Sequence, residues 1–144
     1  MLRRDMFRGL FAGGSALLGL GAARAATAPA RQKVAYHLNE VAKVGFVLGN
    51  IKNHYEGTGG NVDIVLVVHG PALSAFRRNG ASAAISSRFA GLRKQGLAVQ
   101  ACAKTMNGMS LGLPDLFEGF ASAEAGGVVR LAELQAQGYA YLRP

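Results

Sequence analysis

The chain has 144 residues, 50% of them hydrophobic, with 20 glycines, one cysteine and a formal net charge of +8. That is the length of one domain with enough apolar side chain to fill a core, which excludes a disordered chain. A single cysteine excludes an intramolecular disulfide framework, a cysteine-rich zinc site and a CxxC redox motif.

The first segment reads as an address rather than as part of a fold. Met1-Leu-Arg-Arg-Asp-Met-Phe-Arg8 is a basic start, residues 9–23 are an apolar run diluted by glycine, and Ala23-Arg-Ala25 presents small residues to a signal peptidase. Residues 1–25 are therefore predicted to be a cleaved export signal, with Ala28 as the alternative cleavage position. The adjacent Arg3 and Arg4, the low hydrophobicity and the basic Arg24 resemble a twin-arginine signal, which implies a periplasmic protein. The apolar run is shorter than the roughly 20 residues that span a bilayer, so no permanent membrane anchor is predicted. Cleavage removes four of the 16 basic residues (Arg3, Arg4, Arg8, Arg24) and one of the 8 acidic ones (Asp5), leaving 12 against 7, a net +5. The remaining charge is scattered. Its only clusters, Arg77-Arg78 and Arg93-Lys94, lack the interleaved aromatics of a single-strand platform, so no nucleic-acid partner is predicted.

After a short leader over residues 26–32, the mature chain alternates apolar strands with amphipathic helices. Lys33 to Leu38 is the first predicted strand. Val41, Val44, Leu48, Ile51 and Tyr55 then recur at helical steps, and the glycines of 57–60 end that helix. Val62 to Val68 is a nearly unbroken run of branched apolar residues, the mark of a strand covered on both faces. His69-Gly-Pro71 closes it, and Pro71 opens a short helix over 72–76. A second long helix is predicted from Ser82 to Gln95 with Ile85, Phe89 and Leu92 on one face and Gly96 at its C-terminal cap. Leu97 to Ala103 is the third strand, Lys104 to Gly108 a loop, and Met109 to Leu113 a short helix. Phe117 to Ala123 follows as a fourth strand. Val128 to Gln137 is a last helix with Val128, Leu131 and Leu134 inward, and Tyr139 to Leu142 is a fifth strand. This order predicts an α/β fold: one domain over 33–144, a three-layer α/β/α sandwich around a mostly parallel sheet of about five strands.

In such a sheet, ligands bind beyond the carboxyl ends of the strands. The residues there are Asn39 after the first strand, His69 after the second, and the segment Cys102 to Asn107 around the end of the third. If these strands are neighbours, the lone cysteine lies within reach of an imidazole and several amide donors. Cys102 also has a plain reading as a small buried hydrophobe. Against it, Lys104 points to the same side if the extended geometry continues, and a nearby ammonium and a following helix N-terminus favour thiolate over thiol. His37 alternates with apolar neighbours and reads as a satisfied core side chain, while His54 reads as solvated. No GxGxxG, GxxxxGK[ST] or GxSxG motif and no paired carboxylates occur; turns and helix caps account for the glycines of 57–60 and 126–127, with anion binding before the helix the alternative for the second pair.

Three pieces, Val62-Asp-Ile-Val-Leu-Val-Val-His-Gly-Pro71, Leu92-Arg-Lys-Gln-Gly-Leu-Ala-Val-Gln-Ala-Cys-Ala-Lys-Thr-Met106 and Leu131-Ala-Glu-Leu-Gln-Ala-Gln-Gly-Tyr-Ala-Tyr-Leu-Arg-Pro144, resemble in order and spacing the DsrE/DsrF-like family, including its YchN-like members. The resemblance covers nearly the whole mature chain. It implies a compact α/β sandwich that assembles into homo-oligomers, trimers or hexamers. In the sulfur-relay branch, a cysteine at the end of the third strand accepts a persulfide sulfur from a donor protein and passes it to an acceptor, and Cys102 matches that position. The resemblance thus implies a sulfur carrier more than a turnover enzyme, with no cofactor beyond a covalent persulfide on Cys102 and no metal. Lys104, His69 and Asn107 are placed to stabilise the thiolate or persulfide, with Asn39 beside them, a role read from their position. The competing readings are an oligomeric binding or structural module with an inert Cys102, and small-molecule binding at the strand carboxyl ends.

Overall fold

The computed structural model describes residues 27–144, and the predicted export signal over 1–25 lies outside the described residues. Five strands, β1 (Gln32–Leu38), β2 (Val62–Val68), β3 (Ala98–Cys102), β4 (Phe120–Ala123) and β5 (Ala140–Leu142), pair in the order β4-β3-β2-β1-β5. Every pairing is parallel. Four α-helices connect or flank them: α1 (Val44–Gly57), α2 (Ala83–Lys94), α3 (Ala103–Gly108) and α4 (Gly127–Ala136). Single 3-10 turns occupy Val41–Lys43 and Leu113–Asp115, and a longer 3-10 segment Gly70–Phe76.

The handedness of parallel crossovers decides which face each helix covers. From β1 to β2 to β3 the chain steps in one direction across the sheet, so right-handed connections keep α1 and α2 on one face. From β4 it must return across the whole sheet to reach β5 beside β1. The direction reverses, and α4 lies on the other face. The larger core therefore packs Val47, Leu48, Ile51, Phe89 and Leu92 against Val34, Tyr36, Ile64, Leu66 and Val99. The smaller one packs Leu131 and Leu134 of α4 against Ala35, Val65 and Val67. β2 contributes to both, which is why its sequence is apolar almost throughout. Local signals agree at the helix ends: the Ser82 hydroxyl accepts the Ile85 N–H at 3.2 Å and starts α2.

Several predicted details change. Val41 sits in the 3-10 turn ahead of α1 and is 49% exposed, because the α-helix begins only at Val44. Val128 is 67% exposed; the inward side of α4 is Gly127, Leu131 and Leu134, one residue round the helix from the predicted stripe. Residues 104–108 belong to α3 instead of a loop, since nothing before Gly108 interrupts a helix. Met109 to Leu113 does not form the predicted helix: Ser110 takes a positive φ of 53°, and the helical turn starts at Leu113 with Pro114 in its first turn. β4 begins at Phe120, because Gly119 at φ 106° breaks the extended run from 117. His54 is held rather than solvated, between the Tyr36 hydroxyl and the Gln32 side-chain carbonyl, each at 2.9 Å.

Candidate functional site

The three strand ends singled out by sequence are adjacent. Leu38 pairs with Val68 and Val68 with Ala101, so Asn39, His69 and Cys102 follow at the same level on β1, β2 and β3. Side chains alternate along strands, which puts His37, His69 and Cys102 on the α4 face together with Val67 and Gln100. Cys102 is the N-cap of α3 and is 6% exposed.

The N-terminus of α4 covers this row closely. Gly126 takes φ 109°, which only glycine adopts without strain, and turns the chain down onto the strand ends. At Gly127 a Cβ would meet the His69 Cβ at 3.1 Å and the Cys102 Cβ at 3.3 Å, so a larger residue would crowd both and require them to give by a few tenths of an ångström. The approach lets the Gly127 N–H reach the sulfur. Burial pushes the Cys102 thiol up, but the Thr105 hydroxyl and the N–H groups of Thr105, Gly127 and Lys104 outweigh it and hold the thiol below its ordinary value. Thr105 is itself positioned, because its Oγ1 accepts the Gly70 N–H at 2.9 Å. Gly70 follows His69 directly, so the turn after β2 aims both an imidazole and a hydroxyl at one region.

His69 continues into a hydrogen-bonded row. Its Nε2 meets Nε2 of His37, with the two rings edge to edge, 4.7 Å between centroids and 22° between planes. His37 Nδ1 lies 2.6 Å from the Tyr141 hydroxyl on β5. Burial first, then His69 and the Arg143 cation, lower His37 to about 4. Burial and Arg143 likewise lower His69, so both rings are neutral at neutral pH. Among the described residues, no group of three or more His, Cys, Asp or Glu side chains is arranged to hold a metal ion.

A model of the DsrE/DsrF-like family matches residues 15–144. The chain belongs to the DsrE/DsrF-like family. Two solved structures share its fold. A protein of unknown function, MTH1491 from Methanobacterium thermoautotrophicum, superposes with a TM-score of 0.71 at 25% identity, over 78% of this chain and 99% of that one. The ychN protein from E. coli gives a TM-score of 0.59 at 18% identity over 78% of this chain and 99% of its own. A comparison with functionally curated proteins gives no match.

In this DsrE/DsrF-like chain the predicted site residues divide. Cys102 and His69 flank the same glycine, and Asn39 lies beside them, where its side chain accepts a hydrogen bond from Arg143 at 3.2 Å and its carbonyl accepts the Ala72 N–H. Lys104 contributes its backbone N–H; its side chain is exposed and runs past Gly126, because the helix starting at Ala103 ends the extended geometry that would have aimed it with Cys102. Asn107 is exposed on α3 and is not brought to the sulfur. Sequence reasoning missed Thr105, His37, Tyr141 and Arg143 as parts of the site, and took Gly127 only for a helix start able to hold an anion. For His37 a signal existed: it sits one strand over and one alternation before His69, on the same face.

Proposed function

We propose that this DsrE/DsrF-like protein is a sulfur carrier whose Cys102 accepts sulfur as a persulfide and hands it to a partner. The observation that carries the reading is the set of donors around one buried sulfur: three N–H groups and a hydroxyl that favour the thiolate despite burial. Membership of a family associated in general with sulfur relay supports it. In the forward step the Cys102 thiolate attacks the outer sulfur of a donor persulfide R–S–SH. A new S–S bond forms to Cys102, the donor S–S bond breaks, and its electron pair leaves on R–S, which takes a proton; no net oxidation occurs. Attack by an acceptor thiolate on the outer sulfur of Cys102-S-SH empties the carrier in the same way. The proposal includes export through residues 1–25 to the periplasm and assembly into a trimer or hexamer, for which exposed Phe46, Val128 and Val129 offer apolar surface.

The test is intact mass after exposure to glutathione persulfide, on protein recovered from the periplasmic fraction of a producing cell. Wild type is expected to gain the mass of one sulfur atom, removable by dithiothreitol, and Cys102→Ser to gain none. A wild-type protein that stays unmodified leaves Cys102 as a small buried hydrophobe in a binding or structural module. Native mass of the same sample reports the oligomer.

A further inference from the structure

We infer that Tyr141, His37 and His69 form a proton row that fixes the tautomer of His69 and delivers a proton to the sulfur leaving from the Cys102 reaction. The inference rests on Cys102 being the reacting sulfur. Four neighbouring strands set these side chains in one row on the α4 face: Tyr141 in β5, His37 in β1, His69 directly after β2 and Cys102 at the end of β3. Tyr141 is 40% exposed, His37 9% and Cys102 6%, with His69 half-buried between the last two, so the row runs from an exposed hydroxyl to the buried sulfur.

A neutral imidazole carries one N–H, and this fixes the row once one bond is assigned. Tyr141 holds a hydroxyl proton, and donating it to His37 Nδ1 puts the His37 proton on Nε2. That N–H donates to His69 Nε2, which leaves the His69 proton on Nδ1. Nδ1 is bonded to the ring carbon that lies 3.4 Å from the Cβ position of Gly127, the position shared with Cys102. Nδ1–H has no partner among the described protein groups and is the donor offered to a ligand. When R–S leaves the attacked sulfur, His69 gives it the Nδ1 proton. In the same step His69 Nε2 takes the proton of His37, His37 Nδ1 that of Tyr141, and Tyr141 one from solvent, so neither ring passes through an imidazolate. One proton moves from solvent to the leaving thiolate, no bond order or charge is left unbalanced, and the reversed sequence carries a proton out.

The charged and titratable groups around the pair favour passage over storage. Arg143, from the C-terminal tail, disfavours a second proton on either ring. Lys104 on α3 adds a second exposed cation near the rim, and α4 contributes the backbone of Gly127. No carboxylate among the described residues is hydrogen-bonded to either imidazole, so nothing there stabilises an imidazolium.

The test compares two disulfides on the native protein, because a proton row matters only for a leaving group that needs a proton. Hydroxyethyl disulfide releases an alkanethiolate; dithiodipyridine releases a thiolate stable without protonation. The readout is the ratio of their rates of mixed-disulfide formation at Cys102, followed by mass. Tyr141→Phe removes only the hydroxyl at the exposed end, and it is expected to lower the alkyl-to-pyridyl ratio about tenfold, less than a direct general acid contributes because the hydroxyl acts through two rings. His37→Gln is expected to lower it similarly. An unchanged ratio in both variants, whether both rates fall together or neither falls, overturns the inference and leaves a structural role. The sulfur-carrier reading fails separately, if wild type exchanges disulfides yet takes no sulfur from glutathione persulfide.

Discussion

At Cys102 two opposing effects act on one sulfur atom. Desolvation favours the neutral thiol, and four donors favour the anion; the donors win because the N-cap position and the close approach of Gly127 aim backbone N–H groups that need no side-chain ordering. Thr105 is the part of this balance that a point change can isolate. Thr105→Val keeps the shape but removes the hydroxyl, so the pH midpoint of Cys102 alkylation by iodoacetamide is expected to move upward, while Thr105→Ser leaves it near wild type. A midpoint unmoved in Thr105→Val would show that the backbone donors alone set the thiol. The same change orphans the Gly70 N–H, a loss of about 1–3 kcal/mol that a lowered urea midpoint would register.

Among the elements, α4 links stability to chemistry most directly. Its apolar contact with the sheet is the small cluster of Leu131 and Leu134 against Ala35, Val65 and Val67, and its first residue is the glycine that donates to Cys102. Leu134 is 1% exposed, so Leu134→Ala is expected to cost about 2–5 kcal/mol in chemical unfolding. It should also slow Cys102 alkylation at neutral pH, because a loosened helix no longer holds its N–H at the sulfur. Destabilisation with full thiol reactivity would mean that the Gly127 contact survives without the packing beneath α4. The five strands, α1, α2 and α4 and their order were legible from periodicity, because β2 and the α1 face are unambiguous patterns; α3, too short to show a period, read as a loop. Boundaries were not, wherever two backbone geometries share a spacing: Val41 lies three residues before Val44 in a 3-10 turn as it would in an α-helix.

For the molecule as a whole, the His37–His69 pair ties folding to pH. His37 has a folded value of about 4 against 6.5 for an ordinary histidine, and His69 is lowered as well. Between those values the unfolded chain binds more protons than the folded one, so stability rises with pH there. The pair's penalty is absent above 6.5 and accumulates as pH falls toward 4. Thermal unfolding should therefore drop steadily over that window, and His37→Gln, which cannot titrate, should flatten the drop relative to wild type. Parallel slopes in the two proteins would assign the acid sensitivity to the carboxylates instead.

Sequence alone determined the fold class, the alternation of strands with the longer helices, the family resemblance and the lone cysteine at the end of β3, because each depends on residues close together in the chain. It also placed Asn39, His69 and Cys102 at strand ends. Tertiary structure decided which of these meet and what else joins them. Strand order set His37 and Tyr141 in line with His69, the reversal of direction after β4 brought Gly127 over Cys102, and a helix starting at Ala103 turned Lys104 and Asn107 away. The physical reason is range: periodicity reports the face a residue shares with its chain neighbours, whereas a site at parallel strand ends is assembled across pairings some thirty to a hundred residues apart, as between His37 and His69 or His37 and Tyr141.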